Sequence, residues 1–398
     1  MRSSPFTQKK RLTRILSLLG RLRPTELPVT HRHNRVELLS EGRYYFRALL
    51  EAIRVARHTI LLEYYLIHAD HIGSELANAL VDAVQRGVRV QLIYDYLGCL
   101  ETPSSYFSKL ARSGVELLPF NKPSFKRGLY WFDKRDHRKM TIIDAQQAFL
   151  GGFNIADEYV GCVDEHLRFR DLGFSIRGEA VNDLVRVFHE AWQLEQAGQI
   201  NAAPAVEAAP CARTKGDAAV VIVSGGPRQL RSYIREAFQV NIASASEEIL
   251  IATPYFVPGP RIIRYLLRAA RRGVRVRLLL PARSDVPLVL VLGRSSYSTL
   301  LRGGIEIFEL EREILHAKVM LIDGERTVIG SANLDQRSFH RNYEINCIVD
   351  NMGFGGQIRS LLLEEIAGSR QVKLDIHEQR GFVIRFMERV VRLFGWFL

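Results

Sequence analysis

The sequence predicts an α/β protein built from two copies of one domain, related by a pseudo-twofold axis and sharing one active site. Two observations support this prediction: a polar motif occurs twice, and the predicted helices and strands around it recur in the same order. Because the repeat extends beyond the motifs to whole domains, the two motifs are expected to meet where the copies face each other.

The repeated motif is a His followed two residues later by Lys and seven later by Asp, with Gly and Asn fourteen and seventeen residues after the His. One such motif is weak evidence, whereas two copies in register are a specific signal. Its members are His137, Lys139, Asp144, Gly151 and Asn154 in the first copy, and His316, Lys318, Asp323, Gly330 and Asn333 in the second.

Each motif is predicted to form a buried strand that pairs back as a hairpin. The first strands are expected at Met140–Ile143 and Val319–Ile322, and their partners at Ala148–Leu150 and Thr327–Ile329, because these runs are apolar and rich in β-branched residues. Side chains two positions apart on a strand share a face, so His and Lys should project together. The motif Asp lies at the turn, where we expect it to support the site rather than touch the substrate.

These residue types suit the chemistry of a phosphodiester. Ammonium and amide groups can neutralise negative charge that develops on the non-bridging oxygens. One neutral His can attack phosphorus while the other, protonated, donates to the leaving oxygen. We expect Asn154, Asn333 and Ser331 to bind the substrate phosphate. The motifs lack the Cys/His or carboxylate clusters that hold zinc or magnesium, so neither a metal nor another cofactor is expected.

A lone His on a strand is more often a hydrogen-bonded structural residue than a catalytic one. We keep that interpretation for the other histidines of the chain. For His137 and His316 the duplication favours a catalytic role.

Composition indicates a globular protein with an anionic partner. The chain has 398 residues, of which 47% are hydrophobic and 25% charged, and this length fits two domains or one large duplicated one. Its net charge of +12 favours nucleic acid or an acidic membrane surface as partner. Four cysteines without metal or disulfide-framework spacing indicate free thiols in a reducing compartment.

The order of predicted elements is the same in the two halves. The clearest match is AVQRGVRVQLIY at 83–94 with AARRGVRVRLLL at 269–280, which is a helix end, a glycine cap and a buried strand. The first half is predicted to have helices at Tyr44–Ala56 and Ser74–Gln85 and a strand at Thr59–Tyr65, and the second half a helix at Arg231–Ala243 and a strand at Glu248–Ala252. The predicted division is a basic amphipathic segment at 1–33, a first domain at 34–194, an Ala/Pro-rich linker at 195–217, a second domain at 218–372 and an amphipathic helix at 373–398.

Both ends of the chain are candidate membrane contacts. Apolar residues recur at helical spacing in 1–24, which suits either a surface helix packed on the body or a helix lying in the membrane plane. Residues 382–398 place three arginines on one helical face among aromatic and aliphatic residues, which favours the membrane interface over docking on the core. This segment is too short and too charged to predict a membrane span.

The sequence resembles the phospholipase D superfamily, whose signature is a paired HxKxxxxD motif, and more narrowly the bacterial cardiolipin synthases of the shorter type without N-terminal spans. The resemblance covers about Val36–Val349 and is carried by HRKMTIIDAQQAFLGGFNIADEY, HAKVMLIDGERTVIGSANLDQRSF and TPYFVPG. It implies two phospholipase-D-like α/β/α sandwich domains with one shared active site.

The resemblance also implies roles for individual residues. His137 would be the nucleophile that forms a phosphohistidine, and His316 the general acid and base. Family members orient each His with a carboxylate some thirty residues downstream, and Asp171 and Glu344 match by position. A working His needs its second nitrogen held in this way.

The activity implied by the resemblance is phosphatidyl transfer that makes cardiolipin from phosphatidylglycerol and a second phospholipid or alcohol. Phosphatidylethanolamine is a possible further substrate, and the expected location is peripheral, on the cytoplasmic face of a bacterial inner membrane with anionic lipids. The alternative is a phospholipase D that hydrolyses phospholipids to phosphatidic acid. A superfamily nuclease is a weaker alternative, because the chain has no dedicated nucleic-acid module, and no nucleic-acid partner is expected.

Overall fold

The computed structural model describes residues 28–123, 130–161, 168–196, 211, 214–227, 229 and 232–380. The predictions made for residues 1–24, for most of the linker and for residues 382–398 lie outside the described residues and stay predictions.

The first half alternates strands with helices, as its hydrophobic pattern predicts. Strand β1 begins at Thr30, before the predicted domain boundary at residue 34. The elements in chain order are β1 (Thr30–Leu39), α1 (Gly42–Val55), β2 (Thr59–Tyr64), α2 (His71–Gln85), β3 (Arg89–Asp95), α3 (Ser104–Arg112), β4 (Glu116–Phe120), α4 (Tyr130–Asp133), β5 (Lys139–Ile143), β6 (Gln147–Gly151), α5 (Asp157–Val160), β7 (Phe169–Arg170), β8 (Gly173–Arg177) and α6 (Ala180–Gln196).

The second half repeats this order with small additions. Its elements are β9 (Ala218–Gly225), α7 (Tyr233–Ser244), β10 (Glu248–Ala252), β11 (Phe256–Val257), α8 (Gly259–Arg271), β12 (Arg275–Pro281), α9 (Pro287–Arg294), α10 (Tyr297–Arg302), β13 (Glu306–Leu310), β14 (Ile314–Leu315), β15 (Val319–Ile322), β16 (Arg326–Gly330), β17 (Leu334–Asp335), α11 (Gln336–His340), β18 (Glu344–Asp350), α12 (Met352–Ala367), β19 (Arg370–Gln371) and α13 (Leu374–Glu378).

One continuous 15-stranded sheet runs through both halves. Outward from the centre, the first half has the order β1-β8-β6-β5-β2-β3-β4, and the second half has the matching order β9-β18-β16-β15-β10-β12-β13, with β19 at its edge. Strands β1 and β9 pair antiparallel at the centre, with Thr30 opposite Val221. The antiparallel pairing of equivalent strands places the pseudo-twofold axis between them, as the duplication predicts.

Helices cover both faces of the sheet. On one face a single core cluster spans the two halves and includes Trp192 of α6 and Phe354 of α12. On the other face each half has its own cluster, one with Tyr45 of α1 and one with Phe238 of α7. Because both faces are covered, strands such as β2, β5 and β15 are buried along their whole length. The predicted α/β/α architecture is confirmed.

The two predicted motif hairpins are present in register. Met140 pairs with Leu150 in the first half and Val319 with Ile329 in the second. Among the described residues, none of the helices combines the length and the apolar character that crossing a membrane requires.

Candidate active site

The two motifs are brought together by short pairings that cross between the halves. Strand β7 of the first half pairs in parallel with β14 of the second, which ends directly before His316. A bridge between Asp136 and Tyr343 is its symmetric counterpart directly before His137. Each motif His therefore follows a segment that is hydrogen-bonded to the opposite half.

Backbone hydrogen bonds fix the positions of both histidines. The N–H of His316 donates to the carbonyl oxygen of Arg170 at 2.8 Å, and the N–H of His137 donates to that of Tyr343 at 2.9 Å. The next residue after each of these carbonyl groups is a carboxylate, Asp171 or Glu344. Each carboxylate is therefore held against the His of the other half.

The side chains complete this exchange. Nδ1 of His137 lies 3.1 Å from both carboxylate oxygens of Glu344, and Nδ1 of His316 is hydrogen-bonded to Asp171. The two carboxylates expected from the resemblance do meet the histidines, but each meets the His of the opposite half and not the one about thirty residues upstream. Neither half holds its own His in this way, so the site needs both.

Glu344 is itself held by hydroxyl groups. Ser331 donates to one carboxylate oxygen at 2.5 Å and Ser338 to the other at 2.8 Å, and the Ser331 hydroxyl also accepts from the N–H of Ile345 at 3.0 Å. We expected Ser331 to bind the substrate phosphate. In the structure its hydroxyl is instead committed to Glu344, which favours a positioning role for Ser331.

A glycine replaces this serine beside Asp171. Gly152 occupies the position of Ser331 in the first half, and a Cβ at residue 152 would lie 2.1 Å from a carboxylate oxygen of Asp171. The same oxygen accepts from the N–H of Leu172 at 2.7 Å. The shorter side chain of Asp171 therefore packs directly against the backbone of Gly152. The longer side chain of Glu344 is instead hydrogen-bonded to the hydroxyl of Ser331.

Both motif lysines are buried beside their histidines. Nζ of Lys139 donates to the carbonyl oxygen of His137 at 2.8 Å, and Nζ of Lys318 lies 2.8 Å from Nδ1 of His316. Burial, together with the charge of Lys318, lowers the pKa of Lys139 to about 7. Burial likewise lowers the pKa of Lys318, although Asp171 and Glu344 oppose the shift. Two ammonium groups in one buried site favour an anionic ligand.

Burial favours the neutral form of both histidines by lowering their pKa values. Burial lowers the pKa of His137 to about 4, although Glu344 opposes the shift. Burial and the charge of Lys318 lower the pKa of His316, and Asp171 opposes them. With Nδ1–H donating to a carboxylate in each ring, the lone pair lies on Nε2.

The two motif asparagines are buried and contact residues that lie beside the histidines: Asn154 contacts Tyr159, and the N–H of Asn333 donates to Ser338. Nδ2 of Asn154 donates to the hydroxyl of Tyr159 at 2.7 Å. The amide oxygens of Asn154 and Asn333 are buried and have no hydrogen-bond partner within the described part of the chain. Since a Tyr hydroxyl can also donate, the opposite amide orientation would satisfy Tyr159 equally and leave the NH₂ group of Asn154 for a phosphate.

The motif aspartates are not brought to the histidines. Asp144 lies beyond β5, at the end opposite to His137, and accepts from the N–H groups of Arg57, His58 and Thr59 at 2.7–2.9 Å. Asp323 accepts from the equivalent N–H groups, those of residues 246–248. They were expected among the catalytic residues, but the structure places them away from the histidines, where they fix the beginnings of β2 and β10, as the supporting role expected from their spacing implies.

Three aromatic residues beside the histidines were not predicted as site residues. The ring centroid of Tyr65 lies 5.1 Å from that of His137, and those of Tyr159 and Phe169 lie 5.3 and 5.1 Å from that of His316. Tyr159 is the last residue of NIADEY, so its place in the motif could have indicated it. Phe169 reaches the site only through the pairing of β7 with the other half.

A buried ionic layer lies beneath the first motif alone. Arg138 pairs with Glu63 at 2.8 Å and Arg135 with Asp95 at 3.1 Å. The equivalent positions of the second half carry Ala317, Ala252, Ile314 and Pro281. The two histidines therefore have different electrostatic surroundings, despite the pseudo-symmetry of the fold.

One group within the described residues has the geometry of a metal site: His68, Asp70 and Glu158. The carboxylate of Asp70 already accepts from the N–H groups of Gly73 and Asp157 at 3.0 and 2.7 Å. These bonds cap α2 and join it to α5, which accounts for the position of Asp70 without a metal.

Comparison with known proteins identifies the family. A model of the family described as "Cardiolipin synthase, PLD-like domain" matches residues 49–192 and 239–364, more than half of the chain. The chain belongs to this cardiolipin synthase family. Each of the two matched segments contains one complete motif, so the family assignment and the duplication agree.

Curated cardiolipin synthases are similar to this chain over most of its length. The cardiolipin synthase of Geobacillus thermodenitrificans is 36% identical over 361 residues, covering 90% of this chain and 72% of the relative. Cardiolipin synthase 2 of Bacillus anthracis is 35% identical, covering 89% and 69%. Cardiolipin synthase A of Pseudomonas syringae pv. syringae is 32% identical, covering 87% and 72%. As a member of the cardiolipin synthase family, the chain is an enzyme of the phosphatidyltransferase type.

A solved structure shares the fold of this cardiolipin synthase family member. The phosphatidylserine synthase of Haemophilus influenzae superposes with a TM-score of 0.71, covering 98% of this chain and 100% of that one, at 13% identity. At this identity the likeness supports the duplicated fold alone.

Proposed function

We propose that this chain makes cardiolipin by moving the phosphatidyl group of phosphatidylglycerol to a hydroxyl group of a second phospholipid or alcohol, through a phosphohistidine. One observation carries the proposal: two buried histidines, each with Nδ1 held by a carboxylate from the opposite half. Holding Nδ1 directs the chemistry of both rings to Nε2. A pair of opposed imidazoles is what double displacement at phosphorus requires.

In the first step Nε2 of His137 attacks the phosphorus of the donor lipid. The bond between phosphorus and the glycerol head-group oxygen breaks, and that oxygen takes the proton from Nε2 of His316. The lowered pKa of His137, to about 4, keeps its lone pair available. His316 must be protonated at this step, and the negative charge of the phosphodiester favours that state.

In the second step the acceptor hydroxyl replaces His137. Nε2 of His316 takes the hydroxyl proton, the acceptor oxygen attacks phosphorus, and the phosphorus–nitrogen bond to His137 breaks. The product is a new phosphodiester, and both histidines return to their starting protonation states. Lys139 and Lys318 stabilise the charge on the non-bridging oxygens in both steps.

Hydrolysis by a phospholipase D is the alternative, because water could take the place of the acceptor without any change of residue. Transfer requires an acceptor pocket that excludes water. Release of phosphatidic acid instead of cardiolipin would therefore select this alternative. Nuclease activity remains the third candidate, since a net charge of +12 also suits DNA.

We propose that the enzyme acts peripherally at the cytoplasmic face of a bacterial inner membrane. Its net charge of +12 suits an anionic lipid surface. Phosphatidylglycerol would be both substrate and part of that surface, with phosphatidylethanolamine a possible further substrate.

The deciding experiment is incubation of the purified protein with vesicles of labelled phosphatidylglycerol, with and without chelator, followed by separation of the lipid products. We expect cardiolipin in both samples and none with His137→Ala or His316→Ala. Replacement of the exposed His71 by Ala is the matched control. Phosphatidic acid alone would indicate a hydrolase. Cleavage of single-stranded DNA without lipid turnover would indicate a nuclease.

A further inference from the structure

Helix α8 carries a row of arginines on the outside of the second half. Arg261, Arg264 and Arg268 are exposed and follow each other at helical spacing, so they share one face. No carboxylate lies within ion-pair distance of these three guanidinium groups among the described residues, although the neighbouring Arg275 pairs with Glu306 at 2.8 Å. This face of the helix therefore carries uncompensated positive charge.

These arginines line a cavity and do not simply project into solvent. The cavity has a volume of about 310 Å³ and lies between α7 and α8. Its lining is Gln239, Arg261, Arg264, Tyr265 and Arg268, which we call the arginine pocket. The side-chain nitrogen of Gln239 is buried and has no hydrogen-bond partner within the described ranges. The pocket thus combines three cations with an unsatisfied buried donor, a combination that suits an anionic oxygen ligand.

The surroundings of the pocket add to the positive field. Nη1 of Arg235 on α7 lies 2.9 Å from Nε2 of His340. Burial lowers the pKa of His340, and the charges of Arg235, Arg261 and Arg341 lower it further. The carboxylate of Glu236 raises the pKa of Arg235, whereas burial and the charge of Arg261 lower it.

The duplication supplies an internal comparison for these positions. Helices α2 and α8 both end directly before an Arg, Arg86 or Arg272, in the repeated RGVRV sequence. Counting back from that point, the positions of Arg261, Arg264 and Arg268 are occupied in the first half by Glu75, Asn78 and Asp82. The fold therefore does not require arginine at these positions.

Helix α7, which lies beside α8, also differs from its counterpart in the first half. Helices α1 and α7 are each followed by a capping Ala, Ala56 or Ala245. Counting back from that Ala places Gln239 at the position of Leu50, a core residue that is 5% exposed. An apolar core position in one half has thus become a polar lining position in the other. The pocket belongs to the second half alone, and its formation is not a consequence of the shared architecture.

The short helix α11 connects the arginine pocket to the active site. Helix α8 begins against α11, because a Cβ on Gly259 would lie 2.4 Å from the amide nitrogen of Gln336. In α11, His340 contacts Arg235 beside the pocket. Ser338 of the same helix donates to Glu344, which holds His137. The pocket is therefore linked through α11 to the carboxylate that holds His137.

We propose that the arginine pocket binds phosphate head groups of anionic lipids and docks the second half of the enzyme on the bilayer beside the active site. The inference rests on the proposed function, because a bilayer that supplies the substrate is the partner. Head-group phosphates offer the anionic oxygens that three guanidinium groups and the amide of Gln239 can bind. A membrane docked on one half only also agrees with the opposite charge at the equivalent face of the first half.

The test is co-sedimentation of the full-length protein with vesicles. Wild type should bind phosphatidylglycerol vesicles much more tightly than phosphatidylcholine vesicles. In Arg261→Gln/Arg264→Gln/Arg268→Gln the partition coefficient for phosphatidylglycerol vesicles should fall about a hundredfold, since each arginine near an anionic surface contributes about fivefold. The difference in vesicle binding between wild type and this variant should shrink at high salt. The triple Arg→Lys variant at the same positions should retain most of the binding.

The matched control removes three exposed arginines of the first half, as Arg54→Gln/Arg57→Gln/Arg112→Gln, and changes net charge equally. Like the three arginines of α8, these have no carboxylate within ion-pair distance among the described residues. We expect it to bind vesicles within about threefold of wild type, because only the position of the lost charge differs. Equal losses in the two triple variants would overturn the proposal in favour of diffuse attraction. Unchanged vesicle binding in the α8 variant, with lost affinity for single-stranded DNA, would overturn it in favour of a nucleic-acid surface.

A second readout separates the inference from the proposed function. On a short-chain phosphatidylglycerol dispersed as monomers, the α8 variant should turn over within about twofold of wild type, because no docking is needed. If wild type makes no cardiolipin while the α8 variant still loses vesicle binding, the proposed function is wrong and the proposal that the arginine pocket binds anionic lipids is kept. If wild type makes cardiolipin and both proteins bind vesicles equally, the pocket fails and the function stands.

Discussion

The motif histidines are distinguished by what holds Nδ1 and by their burial. His137 rests against Glu344, which is fixed by Ser331 and Ser338. Orientation of this kind converts a titrating side chain into a nucleophile with one defined lone pair. In the catalytic proposal Glu344 and Asp171 do not touch the substrate, so they are positioning residues.

Replacing the carboxylate of Glu344 should show how much of the reactivity of His137 comes from its orientation and how much from its burial. In Glu344→Gln we expect kcat to fall by about 10²-fold or more, because an uncharged amide is a weaker acceptor for the Nδ1–H of His137 and fixes its tautomer less firmly. The pH at which activity is lost on the acid side should move lower as well, since Glu344 raises the pKa of His137. The measurement is kcat against pH, with the exposed Glu190→Gln as control. A fall in kcat without any change in the pH profile would contradict the positioning role.

The free enzyme should show a bell-shaped dependence of kcat/KM on pH. Below a pH of about 4 the nucleophile His137 becomes protonated, so activity is lost on the acid side. On the alkaline side His316, whose pKa burial lowers, loses the proton that it must donate to the leaving oxygen. Above a pH of about 7 Lys139 also loses its proton and the attraction for the phosphate weakens, so activity declines again. Steady-state rates on monomeric substrate measure this profile. A flat profile from pH 5 to 9 would count against two-histidine chemistry.

The turns at the ends of the motif hairpins position the residues of the site. The motif aspartates lie in left-handed turns, with φ of 50° at Asp144 and 51° at Asp323, and tie the ends of β5 and β15 to the starts of β2 and β10. At the other end of the first hairpin, Gly152 lets Asp171 pack on the backbone. The same hairpin thus has a structural end at Asp144 and another end at the candidate active site.

Replacement of Asp144 should affect stability and leave the chemistry intact. Asp144→Asn keeps a side chain that tolerates the left-handed turn and weakens three hydrogen bonds to backbone N–H groups. We expect the free energy of unfolding to fall by about 1–3 kcal/mol while kcat stays within about twofold. Denaturant unfolding and turnover on the same preparation measure both. A loss of kcat comparable to that of His137→Ala would return Asp144 to the catalytic group.

Gly152 should tolerate no side chain. In Gly152→Ala the new Cβ would lie 2.1 Å from the Asp171 carboxylate, so Asp171 must move away from His316 and kcat should fall by about tenfold or more. The control is Gly356→Ala, where a Cβ meets no atom within 4 Å. Equal activity of the two variants would show that the Asp171 contact is dispensable.

The whole molecule works as one unit because the halves exchange their contacts. A continuous sheet joins them at β1 and β9, one core cluster spans both, and each His depends on a carboxylate of the other half. The pseudo-symmetry is broken by the ionic layer under His137 and by the arginine pocket on α8. These departures give the two histidines different surroundings and give the second half a basic helix face that the first half lacks.

A site formed within one chain cannot be restored by mixing. We expect an equimolar mixture of His137→Ala and His316→Ala to stay inactive, because each chain lacks one histidine of its own site. The measurement is cardiolipin formation by the mixture after joint unfolding and refolding. Recovery of about a quarter of wild-type activity, as random exchange of halves between chains predicts, would show that the site forms between subunits.

The sequence by itself determined the duplicated α/β fold, the two motif hairpins and the residues that we propose to react. These features follow from local patterns, such as the apolar run Val319–Ile322 and the turn pair Asp323-Gly324, which are present wherever the segment lies. The paired motif also implied that Asp171 and Glu344 serve the histidines.

Only the tertiary structure decided which carboxylate serves which His, that Ser331 holds Glu344, and that the motif aspartates lie at the far ends of their strands. The arginine pocket emerged in the same way, from two helices that pack side by side. The physical reason is common to all four: each depends on segments far apart in the chain that meet only when the two halves dock. Periodicity along one strand or helix carries no information about that docking.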